Sequence, residues 1–206
     1  MNAPWTVLLI GGASENGKTT LAETLGRRFG VPWLQVDDRH LTLQYSVLLT
    51  AATHPALFAF LGAETVWHKP LRALCAQLIS IGSLLVPAIE TVAAHHLNTG
   101  KPLILEGDGI IPALFARAAF HDGIATKQLR GAFLATMMAH RRANMAARGE
   151  RAGTQSSSTL QQASEAMNEL YDAWICEEAA RYGLPIVQTY PQATLTERII
   201  ATLDLG

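Results

Sequence analysis

The chain is poor in charge and nearly devoid of cysteine. Asp, Glu, Lys and Arg together make up 16 % of its 206 residues, with a formal net charge of −1. That leaves no overall field to hold a nucleic-acid backbone or an anionic membrane surface, so neither partner is expected and any phosphate chemistry must come from a local cluster. Cys75 and Cys176 stand in apolar sequence without the CxxC or Cys/His spacing of a zinc site or redox pair, and are expected to be buried free thiols. The first ten residues lack the basic stretch and small-residue cleavage site of a secretory leader, which makes a cytoplasmic protein the expectation. Two stretches, 41–63 and 73–89, hold no Asp, Glu, Lys or Arg. Their Thr, Gln, Ser, Gly and Pro content favours buried helices over membrane spans. Apolar residues are plentiful, at 49 %. That is enough for one α/β domain over 1–206, burying about 70 % of the unfolded chain's surface.

Short apolar runs at 6–10, 33–36, 103–105, 129–134 and 186–189 read as five strands, most of them separated by helical patterns at 19–29, 137–148, 164–182 and 195–203. Such alternation specifies a parallel sheet with right-handed crossovers. The interval 38–101 reads as helix almost throughout, broken at Pro55, Pro70, Gly82 and Pro87, and is expected to be a helical substrate-binding insertion. Residues 141–159 begin in an Arg-rich helix and pass into a polar, glycine-containing run, the pattern of a mobile lid.

Between the first strand and the first helix lies Gly12-Ala13-Ser14-Glu15-Asn16-Gly17-Lys18-Thr19, followed by Thr20. It matches G-x-x-x-x-G-K-[ST] in the context that the motif requires. Its glycines let successive N–H groups curl around a phosphate at the positive end of the helix. Lys18 would bridge the β- and γ-phosphates and the Thr19 hydroxyl would face Mg²⁺. ATP with magnesium is the implied ligand.

Acids at the carboxyl ends of strands carry weight, because ligands of open parallel sheets bind there. Asp37 and Asp38 follow the second strand, and either could accept a proton from an attacking hydroxyl, hold Mg²⁺ through water, or cap a helix. Glu106 follows the third strand in the string Glu106-Gly107-Asp108-Gly109. A partly buried carboxylate there is costly unless it serves a metal or substrate. The metal-facing set read from the sequence is therefore Thr19, Asp37 and Glu106. Arg141 and Arg148 are seven residues apart on one helical face, with Arg151 close behind, and are expected to converge on transferring phosphate oxygens.

In this order, Gly12 to Thr19, Asp37-Asp38, Leu105-Glu106-Gly107 and the Arg-rich lid resemble P-loop small-molecule kinases of the nucleoside-monophosphate-kinase type. Ile10-Gly11-Gly12-Ala13-Ser14, and Leu105-Glu106-Gly107 followed by Ile110-Ile111-Pro112, are similar to 2-phosphoglycerate kinase and its relatives. Asp37-Asp38 and Arg141-Arg142 with Arg148-Gly149-Glu150-Arg151 look like the uridine kinase group. The resemblance implies an α/β P-loop NTPase three-layer sandwich, as a monomer or homodimer, that transfers the γ-phosphoryl group to a small-molecule hydroxyl. Asp37 would act as base and the lid arginines would stabilise developing charge. Between Asp38 and Lys101 the only Lys or Arg residues are Arg39, Lys69 and Arg72, so a weakly charged or partly apolar acceptor is indicated. A nucleoside or nucleotide kinase, and a regulatory nucleotide-binding protein with little turnover, are the alternatives.

Overall fold

Every residue of β1 (Val7–Gly12) is buried, as a strand covered on both faces must be. The computed structural model describes residues 3–44, 50–58, 68–137, 139–143 and 158–206. In it β1 is flanked by β3 (Leu103–Glu106) and β4 (Leu129–Ala135), with β2 (Trp33–Gln35) and β5 (Ile186–Gln188) at the edges. The sheet order is β2-β3-β1-β4-β5, and all four pairings are parallel. The five expected strands are all present, with ends shifted by no more than two residues.

Period-two alternation in β1 builds the layers. Leu8 and Ile10 face one side, where α1 (Lys18–Phe29) and α6 (Leu195–Leu203) contribute Leu21, Leu25, Ile199 and Leu203. Val7 and Leu9 face the other, packing with Leu85 and Ile89 of α3 (Leu71–Thr99) and with Tyr171 and Ile175 of α5 (Ser158–Arg181). Each such side chain, fully buried, contributes on the order of 1.5–3 kcal/mol. The short helices α2 (Val36–Gln44) and α4 (His121–Ala125) complete the set.

Three local expectations are corrected. Gly82 and Pro87 do not break the helical interval, because α3 runs through both as one helix of 29 residues. A Cβ on Gly82 would lie 2.6 Å from Ile111 Cγ2, so that glycine permits close packing of α3 on the segment after β3. Pro87 forfeits one backbone hydrogen bond, and the burial of Leu85, Val86 and Ile89 around it offsets the loss. The second strand ends at Gln35 and Val36 already opens α2, so Asp37 and Asp38 lie within the first helical turn rather than before it. Negative charge is favourable there, at the helix's positive end. By length and composition α3 is apolar enough to cross a membrane; in this fold Leu74, Ile81, Leu85, Ile89 and Ala93 bury one of its sides. Both thiols are free, with Cys75 buried and Cys176 half-buried.

Candidate active site

The turn between β1 and α1 is shaped by two positions that only glycine fills readily. Gly12 adopts φ +139°, and a Cβ there would fall 2.6 Å from the Leu134 carbonyl. Gly17 caps α1 at φ +77° with nothing within 4 Å of the place a Cβ would take. The loop thus keeps an open concavity in front of the helix N-terminus, the shape that suits a polyphosphate. It borders a cavity of about 690 Å³ lined by residues 14–20 together with Gln35, Asp37, Glu106 and Asp108 at one side, and Gln192, Leu195 and Thr196 at the other.

Parallel pairing of Ile10 with Glu106 brings the end of β3 beside the loop. Thr19 Oγ1 donates to Glu106 Oε1 at 2.8 Å, and Gln35 Nε2 approaches the same hydroxyl at 3.4 Å. Glu106 is only 2 % exposed; burial pushes its carboxyl up, opposed by the Thr19 hydrogen bond and by Lys18. Among the described residues no three His, Cys, Asp or Glu side chains are grouped to hold a metal ion unaided. A hydroxyl beside one or two carboxylates is instead the donor set of a magnesium ion that keeps waters and takes phosphate oxygens, and the pair Thr19 and Glu106 fits it.

Lys18 is buried, and its Nζ donates to the Ala13 carbonyl at 2.8 Å and to Asp108 Oδ1 at 2.6 Å. Asp108 also accepts from the Ser14 hydroxyl, while its own carbonyl accepts from Tyr171 Oη at 2.6 Å. The Lys18 ammonium is thus held by a carboxylate that was not among the expected site residues. Its sequence signal was present, an acid between two glycines directly after a strand ending in Glu106.

Asp37 and Asp108 both line the first cavity and also a second, of about 330 Å³, that runs on between α2, α3 and α5. Asp38 lines neither, which favours Asp37 of the two neighbours. The Asp37 side chain is open to the cavity yet walled by protein. That desolvation first, then the charge of Asp108, pushes its carboxyl up to about 6 against the opposing pull of Lys18.

Arg141 departs from expectation. It is 1 % exposed, pairs with Asp172 of α5 at 3.3 Å, donates to Asn16 Oδ1 at 3.1 Å, and does not line the phosphate cavity. Asn16 Nδ2 donates in turn to Asp172 Oδ1 and to the Leu134 carbonyl, both at 2.7 Å. A guanidinium taken out of water needs partners, and Asp172 and Asn16 supply them from behind the loop. Arg141 therefore braces the phosphate turn. Arg148 and Arg151, with residues 144–157 of the expected lid, lie outside the described residues. Arg141→Met should destabilise the fold by about 3 kcal/mol in chemical denaturation without ligand, because Asp172 is left buried with fewer partners; an unchanged unfolding midpoint would return Arg141 to the surface.

No protein-family model matches the chain, and no curated protein matches it in sequence. Solved structures do resemble it. The tunicamycin resistance protein of Deinococcus radiodurans superposes with TM-score 0.50 at 16 % identity, over 98 % of this chain and 97 % of that one. A protein described as a possible kinase from Chloroflexus aurantiacus gives TM-score 0.50 at 16 % identity, over 97 % of each chain. The chain has the α/β fold of P-loop kinases. Shikimate kinase from Acinetobacter baumannii, solved with shikimate, aligns over 98 % of this chain at TM-score 0.48 and 15 % identity. At 16 % identity the likeness of the Deinococcus and Chloroflexus proteins speaks for the fold alone, and the chemistry rests on the residues.

Proposed function

We propose that the protein is an ATP-dependent phosphotransferase acting on a hydroxyl of a small molecule. The observation that carries this reading is the pair of adjoining cavities with Asp37 and Asp108 at their junction. One is walled by a phosphate-binding turn; the other lies between helices and is large enough for a metabolite. ATP with Mg²⁺ supplies the phosphoryl group and neutralises its charge. Gly12 to Thr19 hold the triphosphate through backbone N–H groups, with Thr20 in the same first turn of α1. Thr19 and Glu106 would hold a magnesium ion, with Asp37 as the further carboxylate lining the same cavity. Lys18 exchanges Asp108 for phosphate oxygens. Asp37 takes the proton of the acceptor hydroxyl; with its carboxyl near 6 it is largely ionised at neutral pH, and more basic than an ordinary carboxylate. Gln192, Leu195 and Thr196, at the far side of the first cavity, border the nucleotide's remaining parts. Arg148 and Arg151, outside the described residues, keep the proposed role of charge stabilisation.

A coupled ADP-release screen over a panel of hydroxyl compounds, including glycerate phosphates, nucleosides and amino sugars, tests the reading. Acceptor-dependent ADP release is expected for at least one class. Nucleotide binding with no acceptor-dependent release from any class would favour a regulatory module instead.

A further inference from the structure

The turn between β1 and α1 is already engaged by an anion of its own chain. Lys18 Nζ donates to Asp108 Oδ1 at 2.6 Å, and the Ser14 hydroxyl donates to Asp108 Oδ2. One carboxylate thus places both its oxygens on donors of the turn, and all three residues line the first cavity. The ion pair is withdrawn from solvent, with side-chain exposures of 7 % for Lys18 and 16 % for Asp108, so water competes little for either partner. Among the described residues lining that cavity, Lys18 is the only cation, against Glu15, Asp37, Glu106 and Asp108. A polyphosphate entering it meets one ammonium, and that ammonium is occupied.

The backbone beneath Asp108 is fixed, which leaves its carboxylate one way to move. The Asp108 carbonyl accepts from Tyr171 Oη at 2.6 Å. A Cβ on Gly107 would lie 2.8 Å from Val36 Cβ, and one on Gly109 would lie 2.8 Å from Leu85 Cδ1. The main chain on either side of Asp108 is therefore packed against α2 and α3. Release of Lys18 requires only rotation about the side-chain bonds of Asp108, toward the second cavity, which Asp108 also lines. Rotation between staggered side-chain positions needs no rearrangement of the fold.

Resting on the nucleotide-binding part of the phosphotransferase reading, we propose that Asp108 is an autoinhibitory latch. Its carboxylate holds Lys18 and Ser14 in place of phosphate oxygens, and nucleotide binds only to molecules in which the latch is open. A competitor tethered within the site acts at a high effective concentration. The apparent dissociation constant of the nucleotide rises by the reciprocal of the open fraction. A small anion such as inorganic phosphate gains too little from the turn to displace the latch, whereas a triphosphate reaches the whole turn at once. Asp108 is a positioning residue that acts through Lys18.

Calorimetric titration of the full chain tests this, with a non-hydrolysable ATP analogue and Mg²⁺, and separately with inorganic phosphate. Asp108→Asn keeps the size of the side chain and removes its charge; it should bind the analogue roughly tenfold or more tightly than the parent does. It should also bind inorganic phosphate more tightly than the parent. Asp37→Asn removes an equal charge from the same cavity and leaves the Lys18–Asp108 pair in place, so its affinity for the analogue should stay within about threefold of the parent. An equal gain in Asp37→Asn would reduce the effect to local charge and overturn the latch, as would unchanged or weaker binding by folded Asp108→Asn. Should that variant not fold, a crystal structure of the parent with Mg²⁺ and the analogue decides. Lys18 Nζ is expected on phosphate oxygens and more than about 4 Å from both Asp108 oxygens; an intact pair beside the bound analogue overturns the proposal. The two readings fail differently. No analogue binding by parent or variant sinks both, binding without acceptor-dependent ADP release sinks only phosphoryl transfer, and binding without the gain in Asp108→Asn sinks only the latch.

Discussion

On the proposed reading, Lys18→Ala should lower acceptor-dependent ADP release at least a thousandfold, about 4 kcal/mol of transition-state stabilisation, because a charged donor to the transferring phosphate is lost. The same change should also lower stability, since the Lys18–Asp108 pair is mostly buried, with side-chain exposures of 7 % and 16 %. Removing one partner of such a pair leaves the other charge exposed to its desolvation cost. The two effects separate experimentally: turnover is assayed well below the variant's unfolding midpoint and normalised to folded protein. Lys18→Ala combined with Asp108→Asn should recover part of the stability and none of the rate. Full turnover in folded Lys18→Ala would remove the phosphate assignment altogether.

Asp37→Asn should reduce the chemical step by roughly two to four orders of magnitude while ATP affinity stays near that of the parent, as loss of a general base does. Its pH dependence follows from the raised carboxyl. In the parent, kcat/KM should climb through an acid limb near pH 6, where Asp37 loses its proton. In stability the sign is opposite. The folded protein holds this proton more tightly than the unfolded chain, so Asp37's contribution falls as pH rises from its ordinary 3.8 to about 6 and is absent above that window. The asparagine variant should show neither the acid limb nor that part of the stability slope. An equal loss of rate in Asp38→Asn, with Asp37→Asn unaffected, would move the base to the neighbouring residue.

The strands and the glycine turn between β1 and α1 were legible because their causes are local. A continuous apolar run closed by glycine makes β1, and the spacing of Gly12, Gly17, Lys18 and Thr19 is itself the loop geometry. Asp108 was not legible as a partner of Lys18, because their contact exists only once β3 is placed beside β1, and strand order is not written in local pattern. The seven-residue spacing of Arg141 and Arg148 gives a common helical face without saying which way that face points. For Arg141 it points inward, where Asp172 and Asn16 already wait. Gly82 and Pro87 carry strong breaker signals, and tertiary burial of α3 overrode both. Asn168 falls among Tyr171, Ile175 and Ala179 on the buried stripe of α5, so its polarity there was a readable anomaly.

One turn of α5 is tied to both cavities. Asn168 borders the metabolite cavity, Tyr171 holds the Asp108 carbonyl, and Asp172 holds Asn16 of the phosphate turn. The five positions 168–172 are mechanically one body, bound into a backbone that does not stretch. Any shift of that turn on occupation of one cavity is transmitted to the wall of the other. Whatever factor nucleotide imposes on acceptor affinity, the acceptor must impose on nucleotide affinity. On the proposed reading, the order in which two substrates arrive would alter the route to a ternary complex and leave its free energy unchanged.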